Sequence, residues 1–133
     1  MSGLSITKSL IQGDVSITVL RLNGQMDRIT SNDVIDHARQ VHEDGATHLL
    51  LDLSGVGMLT SSGLLAIQII FKLFTPEPDM EIMRHHHEEP YKSPYMKLVC
   101  PDPKLYYVLN IAGFLQNILI FGDLDEAIKS FKR

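Results

Sequence analysis

The sequence predicts an α/β fold: a mixed, mainly parallel sheet in the order β-β-α-β-α-β-α-β-α, with helices packed against it. Three observations predict it. Apolar and polar residues alternate over 4–10 and again over 15–22, which is the period of strands. The run Leu49-Leu50-Leu51-Asp52-Leu53 is almost continuously apolar, as a strand buried on both faces requires. After it, strand-like and helix-like segments take turns, the arrangement of parallel strands joined by helices.

Leu4, Ile6 and Leu10 alternate with Ser5, Thr7 and Ser9, so the first strand opens the chain. Gln12-Gly13-Asp14 is a tight turn, and Val15, Ile17 and Val19 resume the alternation. The two strands form an antiparallel hairpin that Asn23-Gly24 ends. Thr30 or Ser31 caps the first helix and Asp33 lies early in it. Val34, Ile35, Ala38 and Val41 recur at helical spacing, and Gly45 stops the helix. Residues 49–53 form the central strand and residues 62–74 the next helix. Residues 96–100 are a short strand. Asp102-Pro103 is a cap followed by proline at the first helical position. Leu105, Val108, Leu109 and Ala112 give that helix its face, and Gly113 ends it. Residues 117–121 are the last strand, and Asp123 caps a final helix through Ala127, Ile128 and Phe131. One segment breaks the alternation, from 75 to about 95. It holds Pro76, Pro78, Pro90 and Pro94 among many charges and is too long for a routine connection, so it reads as an insertion loop.

A chain of 133 residues fits one domain, 1–133, with an adequate core. The net charge of −4, with both signs interspersed, argues against nucleic acid or an anionic membrane as partner. The single cysteine, Cys100, excludes an internal disulfide and fits a reducing compartment. It sits in an apolar run and reads as a small core residue, not a nucleophile. No basic-then-apolar segment opens the chain and no apolar stretch is long enough to span a bilayer, so the expected setting is the cytoplasm.

The most informative stretch follows the central strand: Ser54-Gly55-Val56-Gly57-Met58-Leu59-Thr60-Ser61-Ser62-Gly63-Leu64-Leu65. It reads as a polar glycine turn, after which two adjacent serines open an apolar helix. A hydroxyl there sits among free backbone N–H groups, which favour an anion such as phosphate. The chain therefore presents a modifiable serine, not a catalytic one. The helix beyond it is apolar on more than one face. Only Gln68 and Lys72 are clearly polar, so part of its surface is available to a partner, a second copy of the chain in a homo-dimer, or the insertion folded back.

Enzymatic readings fail on the residues. Gly55-Val56-Gly57 follows a strand as a dinucleotide loop would, but Thr60 occupies the third glycine position and no acidic residue ends a second strand. No Gly-x-Ser-x-Gly elbow surrounds a serine. His37, His42 and His48 show no sign of converging on Ser62. Asp52 reads as a partner for turn amides. His85 and His87, with Glu88 or Glu89, are metal candidates, but adjacent side chains diverge and no second ligand pair exists, so a solvated loop is expected. No cofactor is expected.

The element order and the stretch from Asp52-Leu53-Ser54-Gly55-Val56 to Ser61-Ser62-Gly63-Leu64 resemble the STAS domain family, typified by bacterial anti-sigma factor antagonists. Val19-Leu20-Arg21-Leu22-Asn23-Gly24-Gln25-Met26-Asp27 is similar to the family's first motif, a strand leading to Gly-Glu-Leu-Asp. Asn110-Ile111-Ala112-Gly113-Phe114 and Ile118-Leu119-Ile120-Phe121 are similar to its C-terminal pattern. The resemblance covers nearly the whole chain and implies a STAS-like fold. It implies a phosphoprotein of signal transduction and transcription regulation whose acceptor is Ser62. By the same resemblance, an anti-sigma factor that is also a serine kinase is the expected enzyme for that residue, and a partner phosphatase is expected to reverse the change. It also implies a partner surface containing Asp27, Thr60, Ser61, Gly63 and Leu64. Thr60 stands where the family usually has aspartate, and Gln25 where it usually has glutamate. The alternative expectation is a STAS adaptor or small-ligand sensor that is not phosphorylated and uses the 75–95 insertion.

Overall fold

Strand alternation at the start of the chain is realised as β1 (Leu4–Ile11), which runs antiparallel to β2 (Ile17–Met26) in a computed structural model that describes residues 3–85 and 90–131. β3 (Leu49–Leu59), β4 (Met96–Val99) and β5 (Ile120–Phe121) continue the sheet in parallel, and the strand order is β1-β2-β3-β4-β5. The helices are α1 (Thr30–Glu43), α2 (Ser61–Leu73), α3 (Glu77–His85), α4 (Pro103–Ile111) and α5 (Leu124–Ser130).

Alternation along the strands divides the core into two unequal parts. Leu20, Leu22, Leu49, Leu51, Leu53 and Leu98 meet Val34, Ala38 and Val41 of α1, Ala66, Ile67 and Ile70 of α2, and Leu105 and Leu109 of α4. Ile17, Val19, Leu50 and Val99 point the other way, onto Ala127 of α5 and Phe131. The apolar run of β3 is thus buried on both faces, as expected. Asp52 is its polar exception. It accepts from Ser54 N at 2.9 Å and from Arg21 Nε at 3.1 Å. Cys100 is buried, and loss of hydration pushes its thiol up to about 11, which fits a core residue.

Five expectations need correction. Asn23-Gly24 does not end β2, and Gly55-Val56-Gly57 is not a turn. Both segments are strand, paired Asn23↔Gly55 and Gly24↔Val56, with register shifts on either side. Glycine is needed there for close approach. Gly24 has φ 134°, and a Cβ on it would lie 2.0 Å from the Gly3 carbonyl oxygen, whose place is set by its bond from Gln25 N. Third, neither Thr30 nor Ser31 caps α1. The helix already includes both; the residue before it is Ile29, which has no capping side chain, and Asp27 Oδ1 accepts from the Ile29 and Thr30 amides instead. Fourth, the 75–95 insertion is not simply a loop, since it contains α3. Pro76 and Pro78 sit at the start of that helix, where a missing N–H costs nothing. The Tyr91 hydroxyl donates to Asp79 at 2.5 Å, and Asn117 Nδ2 donates to the Tyr91 carbonyl at 3.0 Å, which ties the segment to the domain. Fifth, the last strand is Ile120–Phe121 and not 117–121, because the Asn117 and Ile118 amides bond back to the Phe114 carbonyl of a 3-10 turn over 114–116.

Candidate functional site

Since β2 and β3 are parallel and each is followed by a helix, the N-termini of α1 and α2 emerge at the same edge of the sheet. Both strands run to that edge side by side, Met26 opposite Leu59. Thr60 stitches the two ends together. Its N–H and its hydroxyl both donate to the Met26 carbonyl, at 3.0 and 2.9 Å. The same hydroxyl oxygen accepts from Gly63 N at 3.4 Å, which makes Thr60 the N-cap of α2. Ser61, the other serine of the pair, is the first helical residue and is exposed.

Gly63 is buried beneath this turn. A Cβ on it would lie 2.7 Å from Leu59 Cδ1 and 3.0 Å from Met26 Cβ, so only glycine lets α2 start this close to β2 and β3. That close start fixes the height of Ser62, one position earlier. Ser62 is half-buried and lines a cleft of about 220 Å³ between α1 and α2. Arg28, Ser31, Asn32, Ile35 and Leu65 share the cleft.

Asp27 lies at the neighbouring helix start. Its Oδ1 accepts from the N–H groups of Ile29 and Thr30, both at 2.9 Å. Donation by the Thr30 amide, above all, holds the carboxyl below its ordinary range, so it is ionised at neutral pH. The Thr30 hydroxyl accepts from Asp27 N and donates to the Gln25 carbonyl, which locks the junction from β2 to α1.

Leu64 is half-buried and packs on the core, whereas Leu65 is 61% exposed. Two more large apolar side chains are exposed at this edge: Ile29, 73%, and Met58, 42%. The structure therefore brings Asp27, Thr60, Ser61, Ser62 and Gly63 to one end of the sheet and adds Ile29, Met58, Leu65, Arg28, Ser31 and Asn32, which the sequence did not assign to the site. Leu65 had a signal, standing one helical turn beyond Ser62. The others depend on which helix neighbours which.

The histidines lie elsewhere. His37 Nδ1 is 2.8 Å from the Asp33 carbonyl, His42 packs edge-on against Phe74, and His48 lies against Tyr95 and Phe131. Burial, with the nearby Lys97 charge, lowers the His48 pKa. His85 pairs with Glu81 on α3 at 3.2 Å, and the other metal candidate, His87, lies outside the described residues. Among the described residues no cluster of His, Cys, Asp and Glu could hold a metal ion. Among them, too, no helix is long and apolar enough to cross a membrane.

Residues 8–77 match the model of the STAS domain family, a span that runs from within β1 to the start of α3 and holds the whole site. No curated relative matches the chain. Solved structures share the fold at low identity. An anti-sigma factor antagonist of Mycobacterium paratuberculosis is 20% identical, with TM-score 0.70, over 96% of this chain and 94% of that one. The Bacillus cell fate determinant SpoIIAA in its phosphorylated form is 16% identical, with TM-score 0.60, over 94% and 97%. A Thermotoga maritima protein is 18% identical, with TM-score 0.75, over 96% and 95%.

Proposed function

Because the chain belongs to the STAS domain family, we propose that it acts as an anti-sigma factor antagonist. It binds an anti-sigma factor that is also a serine kinase while Ser62 is free, and releases it once Ser62 is phosphorylated. The domain is substrate and ligand, not catalyst. One observation carries this reading: Ser62, half-buried, lines a cleft at the N-terminus of α2 together with the exposed Leu65, at the end of the sheet where Ile29 and Met58 are also exposed.

Docking buries those apolar side chains, at about 25 cal/mol per Å² removed from water. Asp27, ionised and held by α1 amides, sets the charge beside them. In the modification, the Ser62 oxygen bonds to the γ-phosphorus of ATP and the bond from that phosphorus to the bridging oxygen breaks. ADP leaves with the electron pair, and the hydroxyl proton passes to a base of the kinase. The product carries about −1.5 to −2 extra charge at neutral pH. The α2 N-terminus tolerates it, since no acidic residue lies in the first turn. An interface closed over it must strip its water, and a penalty of about 3 kcal/mol weakens binding by roughly two orders of magnitude. A partner phosphatase restores the free hydroxyl by hydrolysis.

Incubation with the cognate kinase and ATP, followed by phosphosite mapping, tests the assignment. The expected label is on Ser62 alone. Equal labelling of the Ser62→Ala protein would refute it.

A second reading draws on a different cavity. An open pocket of about 490 Å³ is lined by His42, Thr47, Leu73, Phe74, Thr75, Pro76 and Tyr95, at both ends of the insertion. It would suit an adaptor or small-ligand sensor that does not use Ser62. Ser62→Asp separates the two readings: a switch loses its partner, and a sensor working through this cavity keeps its ligand.

A further inference from the structure

We propose that the cleft between α1 and α2 is an internal receptor for the phosphate on Ser62, with Arg28 as its cation and Asn32 and Ser31 as hydrogen-bond donors. The inference rests on Ser62 being the acceptor residue and adds what happens to the phosphate once it is there.

Three observations converge on the cleft. Arg28 is exposed, lines the same cleft as Ser62, and makes no ion pair among the described residues. It is also the one charged side chain lining that cleft. Ser31, only 3% exposed, lines it too, and among the described residues its Oγ is the one buried side-chain oxygen or nitrogen with no hydrogen-bond partner. A buried hydroxyl without a partner is costly and marks a missing group. Ser31 can donate to a phosphate oxygen and has no acceptor among the described residues of the unmodified chain. Asn32 adds an amide that donates without bringing negative charge.

Asp27, next to Arg28 in the chain, makes no ion pair with it. Asp27 is committed to the amides of Ile29 and Thr30, and the cap of α2 is the neutral Thr60. Arginine suits the task, because its planar fork matches two phosphate oxygens at once. Phosphorylation then draws Arg28 across the cleft and ties the first turns of α1 and α2 together.

The test installs phosphoserine at position 62 during translation, so no kinase is needed. The modified chain is expected to melt roughly 3–6 °C above the unmodified one. By ³¹P NMR its second phosphate pKa is expected to fall below about 6, the ordinary value, by roughly half a unit. Arg28→Gln, at an exposed position, is expected to abolish the rise and most of the shift, while Arg28→Lys keeps part of each. Ser31→Ala provides a test of sign. In the unmodified chain it removes an unpaired oxygen and leaves the melting temperature unchanged or higher, and in the phosphorylated chain it lowers it. Identical melting and identical titration of phosphorylated wild type and phosphorylated Arg28→Gln would overturn the proposal. Equal stabilisation of the unmodified chain by inorganic phosphate, dependent on Arg28, would also overturn it, since the cleft would then serve a free anion. An intact clamp in a chain whose Ser62 the cognate kinase does not label would support the receptor and count against the switch alone.

Discussion

The N-termini of α2 and α4 make an instructive pair. Each helix follows a parallel strand of the same sheet, and each is capped by a side chain that accepts from a first-turn amide. For α4 the cap is Asp102, 2.8 Å from Lys104 N, with Pro103 completing the turn. α5 is also capped by an aspartate, Asp123, and at α1 the carboxylate of Asp27 accepts from the first helical amide. At α2 the cap is Thr60, and no acidic residue lies in the first turn. An aspartate cap compensates the positive end of a helix with its own charge, whereas a threonine satisfies an amide and leaves the end electropositive. α2 is therefore the helix start whose own residues leave room for an added anion, and it carries the half-buried serine.

The largest predicted effect concerns the glycine that sets the start of α2. Gly63→Val forces a branched side chain against Leu59 and Met26, and urea denaturation is expected to record a loss of about 3 kcal/mol. The same change at Gly122, where a Cβ meets nothing within 4 Å, is expected to cost far less. Next come the caps. Asp102→Ala is expected to cost about 1 kcal/mol, and Thr60→Ala somewhat more, because Thr60 also loses its bond to the Met26 carbonyl. Equal losses would show that the stitch between β2 and β3 contributes nothing.

Thr60→Asp makes α2 resemble its neighbours. The charge at the helix start favours the unmodified chain by a few tenths of a kcal/mol, but a carboxylate cannot donate to the Met26 carbonyl as the Thr60 hydroxyl does, so a net loss of up to about 1 kcal/mol is expected. The same carboxylate raises the second pKa of a phosphate on Ser62, measurable by ³¹P titration. The smallest effect is in pH dependence. The folded state lowers the Asp27 pKa, so the contribution of that cap is present above the unfolded value, near 3.9, and is lost as pH falls through the lower folded value. The melting difference between wild type and Asp27→Ala should therefore shrink in acid, while that for Thr60→Ala stays level.

Much of this contrast was legible in the order of residues. Asp102-Pro103 and Asp123 announce their helices, and the apolar stripes of α1 and α4 name their own core faces. Ser62 could be placed at a helix start because serine follows threonine and serine before a long apolar run. Other features were hidden for physical reasons. Gly24 and Gly55 resemble turn formers, but they serve close backbone approach between paired strands, a property of the neighbouring strand and not of the local sequence. The prolines at the start of α3 resemble breakers, yet proline is at home in a first helical turn. The cleft was invisible because Arg28, Ser31 and Asn32 meet Ser62 only when α1 and α2 lie side by side.

The most direct test of the account is a calorimetric titration of the cognate serine-kinase anti-sigma factor with two forms of this chain, one with Ser62 free and one with phosphoserine at that position. The account predicts tight binding of the free form and a Kd weaker by about 30-fold or more for the phosphorylated one, equivalent to about 2 kcal/mol. Equal affinity of the two forms would contradict it.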